Sequence, residues 1–452
     1  MTHYLDQVAD FASGFPGSDI PTATIQRTKY VIADCIAAIV GGAPEPEMEK
    51  LTARVTGIES SGPAALIGTA RRTDIASAAL LNGTAGTFLE MDEGNQFCRG
   101  HPGMHTFPAA FAWAESNDVS GSELIAAIAI GYEVGARVGI AANLRPVMHP
   151  HGTWGAICAS VAVGRLAGCD SKDMKSILNV SSNLGLSTSK RTMLEGGTVR
   201  NVFAGVSSKM GILANDLVAS GFTGEADGIA NVYGQVLSDS FSPDKMVDQL
   251  GQRWEISRNY FKLHSCCRYN HAALDALNMI IAEHPEEIEI ENISTIDVDT
   301  YSFAAELNDQ NPANTLAGKF SVPFAIATTL VNGSSGVGSF TWDAIGNQTI
   351  QALAKKVDVR EDPSMTAKLP DLRPGAVSIK MTDGTVMQAA TETNRGDWAD
   401  PYSEDELIDK YFSLATRLWD KSAAQAVLDE VMNLDQAPSI TPLSRLISEA
   451  AQ

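Results

Sequence analysis

The chain has 452 residues, a length sufficient for about two to four domains. Of these residues 44% are hydrophobic, and the formal net charge is −21. This acidity argues against nucleic-acid binding through a basic face, and no run of 18 apolar residues predicts a membrane span. The N-terminus lacks a signal-peptide pattern, and the six cysteines show no C-x-x-C spacing, so we expect a cytoplasmic protein without disulfides or a zinc site.

The N-terminal half predicts helices. Apolar residues at three-to-four spacing and capping signals indicate them over residues 5–41, 48–56, 73–91, 109–116, 121–142, 152–166, 171–184 and 203–220. Pro21-Thr22 marks a helix start, and Ser120 to Glu123 forms a capping-box pattern. Pro108 is expected to open the helix over residues 109–116.

The pattern changes after about residue 265. Residues 293–301 alternate as in a half-buried strand, and Asp383-Gly384 between alternating runs predicts a hairpin within residues 376–391. Helices are expected over residues 271–283, 322–331, 343–357 and 403–450. We therefore predict a mainly α fold, with a large all-helical domain (residues 1–265 and 396–452) and a smaller α+β domain (residues 266–395) inserted before the C-terminal helices.

The stretch from Met91 to Pro108 concentrates chemical groups between two helices. It holds Asp92, Glu93, Arg99, His101 and His105, with glycines and prolines that keep it from continuing either helix. Acid, base and cation in one loop between rigid elements indicate a functional site. The alternative is a polar loop with two surface histidines.

Two further clusters precede predicted helices. His149-Pro150-His151-Gly152-Thr153 stands at a helix start, where free N–H groups suit a carboxylate, although His151 or Thr153 could simply cap the helix. The stretch from Lys190-Arg191 to Arg200 contains a glycine pair and is either an anion cradle or a solvated basic loop.

The fourth cluster, Tyr260 to His271, falls where the two predicted domains meet, a common place for a pocket. In an apolar setting the Lys262 ammonium would be disfavoured, and the side chain could exchange protons near neutral pH. Cys266 and Cys267 could be nucleophiles, but adjacent buried cysteines are more often packing residues.

In this order, the clusters resemble the MmgE/PrpD family. The matching stretches are Leu81-Asn82-Gly83-Thr84-Ala85, Met91-Asp92-Glu93, His101-Pro102-Gly103, His149 to Thr153, Ala204-Gly205, Gly221-Phe222-Thr223-Gly224, Lys262 to Cys266 and Gly318-Lys319-Phe320-Ser321. The resemblance implies a helical domain closed by an α+β lid, with the active site between them. It also implies a homodimer that needs no metal or cofactor.

By resemblance, Asp92, His101, His149 and Lys262 fall on the family's active-site positions. The chain departs from the family at Arg200 and Phe203, where a Lys and a His are usual. Arg keeps the positive charge but does not release a proton at neutral pH. Glu93 replaces a common Asp, and the insert Gly-Asn-Gln-Phe-Cys-Arg that follows it is unusual.

The chemistry implied is proton transfer at a carbon next to a carboxylate. We expect His101 and Lys262 to be the acid/base pair, Asp92 to orient and tune His101 or to act as the base itself, and His149 to contact the substrate or help in protonation. The residues expected to hold carboxylates are Arg200, Arg99, Arg191 and His151. The leading prediction is a lyase, either a dehydratase or a decarboxylase, acting on a small di- or tricarboxylate. The alternatives are an epimerase of an amino or imino dicarboxylate and a non-catalytic dicarboxylate-binding protein.

Overall fold

The computed structural model describes residues 3–57 and 61–450. The helices of the first half are α1 (Tyr4–Gly14), α2 (Thr22–Gly42), α3 (Pro46–Thr56), α4 (Ile75–Phe88), α5 (Pro102–Asn117), α6 (Gly121–Ala141), α7 (Gly155–Leu166), α8 (Ser171–Ser182), α9 (Arg191–Leu194), α10 (Phe203–Ala219) and α11 (Pro243–Val247). Those of the second half are α12 (His271–Glu283), α13 (Ser302–Ala305), α14 (Thr315–Lys319), α15 (Val322–Asn332), α16 (Trp342–Gly346), α17 (Gln348–Ala354), α18 (Pro363–Thr366), α19 (Glu404–Ala415), α20 (Lys421–Met432) and α21 (Thr441–Glu449). The strands are β1 (Ala64–Ala65), β2 (Arg72–Thr73), β3 (Ala142–Leu144), β4 (Ser238–Phe241), β5 (Ile293–Thr300), β6 (Val357–Glu361), β7 (Gly375–Met381) and β8 (Val386–Thr391). The fold is therefore mainly α with small sheets, as predicted.

Most helices predicted for the first half are confirmed to within a few residues, and Ser120 makes the predicted capping box with Glu123. The prediction that Pro108 opens a helix is wrong, because α5 begins at Pro102 and contains Pro108. A proline in the first turn of a helix loses no hydrogen bond, whereas one in the interior does. Every residue from 102 to 112 is buried, and this packing holds the helix together around Pro108.

The four-stranded sheet has the order β6-β5-β7-β8, with β6 parallel to β5 and the other pairs antiparallel. The predicted alternation of β5 is confirmed, since Ile296, Val298 and Thr300 are buried. The predicted hairpin is formed by β7 and β8. The predicted helix over residues 343–357 is wrong at its end: two short helices stand there, and Val357 begins β6.

Two large hydrophobic cores divide the described residues. One core joins the helices of the first half to buried residues between 402 and 447, a segment that contains α19, α20 and most of α21. The other core lies within residues 266–387 and includes Met193. Helices α19 and α20 pack against α2. The C-terminal helices therefore share a core with the first half of the chain and not with the sheet that precedes them.

One helix in the described ranges, α6, is long and apolar enough to cross a membrane. Its most apolar window is 94% buried within the protein. That burial is what a core helix requires, so its composition is accounted for by packing.

Close helix packing positions the ends of α4 and α10. A Cβ added at Gly83 would lie 2.7 Å from the Cα of Gly205, so only glycines permit the two backbones to meet there. Next to this crossing, the Thr87 hydroxyl donates to the Asn201 carbonyl oxygen at 2.7 Å. The crossing brings the C-terminal end of α4 to the turn that precedes α10.

Candidate active site

A cavity is bordered by residues from all four clusters described above. Residues from the stretches 90–101, 144–151, 190–200 and 260–269 contribute to its lining, together with Phe303, Phe320 and Arg373 from the second core region. Asp92 and Lys262 are buried and do not line it. Residues far apart in the chain thus converge on one space, which is the usual architecture of a binding site.

Positive charge dominates the lining of this cavity. Glu90 is the single acidic residue among the lining residues. The six cationic side chains that border the cavity are Arg99, Arg145, Lys190, Arg200, Arg268 and Arg373. The whole chain carries a net charge of −21. A concentrated positive lining in so acidic a protein offsets the repulsion that an anion would otherwise meet.

Asp92 lies at the centre of the predicted catalytic residues. Its carboxylate is fully buried, 3.1 Å from His101 Nδ1 and 3.6 Å from Lys262 Nζ. Burial raises the pKa of Asp92, but the charges of His101, Lys262 and Arg200 outweigh it and bring the pKa below its ordinary value. Asp92 is therefore an anion that can stabilise positive charge on His101.

The tautomer of His101 follows from its contacts. Nδ1 lies 2.7 Å from the carbonyl oxygen of Glu93, which can only accept, so Nδ1 carries the proton and Nε2 has a free lone pair. Burial lowers the pKa of His101 against the opposing charge of Asp92. His101 therefore lines the cavity as a neutral base.

Glu90, which the sequence interpretation missed, lines the cavity and joins Arg200, which also lines it, to Lys262, which is fully buried and does not. Its carboxylate forms an ion pair with Arg200 and lies 3.5 Å from Lys262 Nζ. Burial lowers the pKa of Lys262, but Glu90 and Asp92 raise it more, so the pKa lies above its ordinary value. The predicted apolar setting of Lys262 is thus wrong, and the side chain is an ammonium at neutral pH.

His149 and His151 both line the cavity. His149 Nδ1 accepts a hydrogen bond from the His151 amide at 3.0 Å, which places the His149 proton on Nε2. Burial lowers the pKa of both rings well below the ordinary value. Phe203, the second departure from the family pattern, packs against both rings, with its ring centroid 5.9 Å from that of His149 and 6.2 Å from that of His151. His149 therefore offers an N–H donor rather than a positive charge.

Other predicted residues lie outside the cavity. Arg191 is 79% exposed, pairs with Glu195 and does not line the cavity, whereas its neighbour Lys190 does. His105 packs behind His151, at 4.8 Å between ring centroids. The structure therefore gives no support to substrate binding by Arg191, and it places His105 in the packing behind the site.

Both adjacent cysteines are buried. Burial raises the pKa of the Cys267 thiol to about 11 and that of Cys266 further. A thiol with so high a pKa is not a nucleophile at neutral pH. This favours the packing interpretation of the pair.

Residues from several elements hold the backbone that carries Asp92. Lys410 of α19 pairs with Asp34 and donates to the Met91 carbonyl oxygen at 2.7 Å. Asp34 in turn accepts the Glu93 amide at 2.9 Å. The backbone is thus held on both sides of Asp92, partly by a C-terminal helix more than 300 residues away in the chain.

Glu93 predicts a pH dependence of stability. Burial raises its pKa from the ordinary 4.5 to about 8, so the folded protein keeps a proton that the unfolded chain releases. Stability from this group is complete below pH 4.5 and is lost as the pH rises to about 8, by at most about 5 kcal/mol. We expect Glu93→Gln to raise the melting temperature relative to the unmutated protein at pH 8.5, and by much less at pH 5.

The control for this prediction is Glu286→Gln, at an exposed position. It should leave the melting temperature unchanged at both pH values. An equal shift for Glu93→Gln at pH 5 and pH 8.5 would mean that the carboxyl group is ionised across the whole range.

Comparison with known proteins assigns the chain to a family. The MmgE/PrpD N-terminal domain matches residues 6–248, and the MmgE/PrpD C-terminal domain matches residues 264–436. A cis-aconitate decarboxylase of Aspergillus terreus is 26% identical over 471 aligned positions, which cover 98% of this chain and 95% of that protein. A cis-aconitate decarboxylase-like protein of Aspergillus oryzae is 23% identical (98% and 96% covered), and the cis-aconitate decarboxylase of Homo sapiens is 22% identical (97% and 93% covered). The chain belongs to the MmgE/PrpD family.

Proposed function

We propose that this protein is a lyase that acts on a small polycarboxylate by proton transfer at a carbon next to a carboxylate. The observation that carries the proposal is the cation-lined cavity containing a neutral base, His101, beside a protonated Lys262. The names of the relatives favour decarboxylation of an aconitate-like tricarboxylate, with dehydration as the second candidate.

The proposed reaction develops negative charge on carbon. In a decarboxylation the C–C bond to the departing CO2 breaks, and its electron pair moves to a carbon next to a remaining carboxylate, where it takes up a proton. The Lys262 ammonium and the Arg200 guanidinium stabilise that charge electrostatically. Glu90 pairs with both side chains and holds them in place.

His101 is the proposed proton carrier. A bound polyanion raises the pKa of a nearby imidazole, and Asp92 at 3.1 Å stabilises the resulting imidazolium. The imidazolium then delivers its proton to carbon in a decarboxylation. In a dehydration, the neutral ring instead removes the carbon proton, and Lys262 protonates the departing hydroxyl group.

The two other function classes have less support. An epimerase needs proton-transfer groups on opposite faces of one carbon, whereas His101 and Lys262 both contact the carboxylate of Asp92. A non-catalytic carboxylate-binding protein would not require a base and an acid that each lie within 4 Å of one bridging carboxylate.

The arrangement of the chain belongs to the same proposal. We treat residues 266–395 as a lid over the helical part of the chain, a division consistent with the two hydrophobic cores. The proposed enzyme works as a cytoplasmic homodimer without a cofactor. Light scattering on the purified protein tests the dimer.

The function is tested by incubating the protein in deuterium oxide with cis-aconitate, citrate and an amino dicarboxylate while recording NMR spectra. Decarboxylation predicts CO2 release, new vinyl signals and one deuterium on a carbon next to a carboxylate. Vinyl signals from citrate without CO2 release identify a dehydratase. Deuterium exchange with inversion and no loss of mass identifies an epimerase and contradicts the lyase.

A further inference from the structure

We propose that Arg99 and Arg373 form a second carboxylate-binding subsite, the outer subsite, which binds the substrate carboxylate farthest from the reacting carbon. This inference rests on the proposed function for its substrate class. It goes beyond that function by assigning the residues that select a tricarboxylate over a dicarboxylate.

The insert before His101 presents Arg99 to the cavity from a constrained loop. Asn95 and Gly100 exchange backbone hydrogen bonds at 2.8 and 3.2 Å, and the Asn95 side chain accepts the amides of Phe97 and Cys98. Within this closed loop the backbone of Arg99 has a φ of 56°. This left-handed conformation is unfavourable for residues other than glycine. Strain held by a rigid loop is typical of a functional position.

Arg373 reaches the same part of the cavity from the second core region. It is only 3% exposed and lines the cavity, with Nη2 donating to the Gln96 carbonyl oxygen at 3.0 Å. Its buried Nε has no hydrogen-bond partner in the described structure. A buried guanidinium with a free N–H at a cavity wall is an unsatisfied donor that a bound anion would satisfy.

An aromatic pair connects the two arginines. Tyr269 stacks on Phe303 at 5.9 Å between ring centroids. The guanidinium of Arg373 lies 5.4 Å from the Tyr269 centroid, and that of Arg99 lies 6.0 Å from the Phe303 centroid. The two cations therefore border one aromatic patch of the cavity wall, and the proposed subsite places a single carboxylate between them.

The other cations of the cavity already have acidic partners. Arg200 pairs with Glu90, Lys190 with Glu306, and Arg268 with Asp397; Arg145 lies 3.9 Å from Asp239 at the exposed rim. Within residues 3–57 and 61–450, neither Arg99 nor Arg373 has a carboxylate at ion-pair distance. These two therefore supply the positive charge that the protein itself leaves unneutralised.

The charges around Glu90 and Asp92, by contrast, are balanced. Arg200 and Lys262 face Glu90 and Asp92, two positive against two negative charges. A substrate carboxylate that binds only there gains little net attraction. The outer subsite is accordingly the place where an additional carboxylate gains affinity, so it discriminates by substrate charge.

The experiment measures equilibrium binding by calorimetry, so it does not depend on turnover. The probes are tricarballylate, a saturated tricarboxylate, and succinate, which lacks its third carboxylate arm. We expect Arg99→Gln and Arg373→Gln each to weaken tricarballylate binding by about 10- to 100-fold and succinate binding by less than about threefold. The double variant should add little to the stronger single variant, because both arginines bind one carboxylate.

Matched controls separate this subsite from the general field and from misfolding. Arg145→Gln removes an exposed rim charge and should weaken both probes equally and slightly. Arg99→Lys and Arg373→Lys keep the charge and should retain most of the affinity for tricarballylate, and thermal melting verifies folding of every variant. Equal weakening of both probes by Arg99→Gln or Arg373→Gln, or none, overturns the outer subsite.

Failure of the proposed function gives a different result. Selective weakening of tricarballylate together with no turnover of any polycarboxylate upholds the subsite and contradicts the lyase. If the unmutated protein binds neither probe, both proposals are wrong.

Discussion

We expect the replacement of His101 by glutamine to lower kcat by about two to four orders of magnitude. This is the usual contribution of a proton-transferring side chain. Glutamine has nearly the same reach and keeps a donor for the Glu93 carbonyl oxygen, which Nδ1 now contacts at 2.7 Å. It cannot carry a proton between the cavity and Asp92. The expected defect is therefore in turnover, with the dissociation constant for tricarballylate changed by less than about fivefold.

His105→Gln is the matched control, because His105 lies four residues away and is buried behind His151 without lining the cavity. Its kcat should stay within about tenfold of the unmutated enzyme. If His101→Gln retained near-full turnover, the proton carrier would have to be sought elsewhere, first at His149, whose Nε2 carries the proton.

The sequence was sufficient to predict residues whose neighbours mark them. Asp92 and His101 stand in a loop with glycines and prolines, and His149 and Lys262 stand in short polar clusters. Local composition marked these clusters but left their alternatives open, and the resemblance to the family singled out the four residues. In the structure, His101 and Lys262 both lie beside the carboxylate of Asp92. Their contacts could not be predicted, since the ion pair of Lys262 with Glu90 spans 172 positions of the chain.

Glu90 and Arg373 were missed for different reasons. Glu90 lies near the end of the helix predicted over residues 73–91 and was given no role of its own. A signal did exist, because a charged residue within a run that is otherwise buried requires a partner of opposite charge. Arg373 carries no local signal at all, because only tertiary folding brings it next to Gln96, 277 positions away.

The fold was predictable where periodicity is long. Helices such as α6 and α12 repeat their apolar positions over several turns, and the predicted bounds of α12 match those observed. β6 has only five residues and depends on pairing with β5, so no strand was predicted there, and the helix predicted over residues 343–357 ran onto its first residue, Val357. Pro108 misled the prediction because tertiary packing overrides a local helix-breaking preference.

Arg200→Met should lower the free energy of unfolding by about 3 kcal/mol and abolish most turnover. It leaves Glu90 and Asp92, two buried negative charges, facing Lys262 alone, and an uncompensated buried charge is strongly destabilising. Urea unfolding and steady-state kinetics measure the two effects separately. Arg200→Lys keeps the charge balance and should retain most of the stability.

The double variant Arg200→Met/Glu90→Gln separates stability from function. It removes one charge of each sign, so Lys262 and Asp92 remain as a balanced pair, and we expect most of the lost stability to return. Activity should stay low, because the guanidinium that we propose contacts the substrate is absent. Recovery of both properties would mean that Arg200 only neutralises Glu90. Recovery of stability alone, with Glu90→Gln alone retaining activity, supports contact between Arg200 and substrate. In that case near-normal activity of Arg200→Lys identifies position 200 as an electrostatic contact, and a large loss in kcat identifies a requirement for the planar guanidinium.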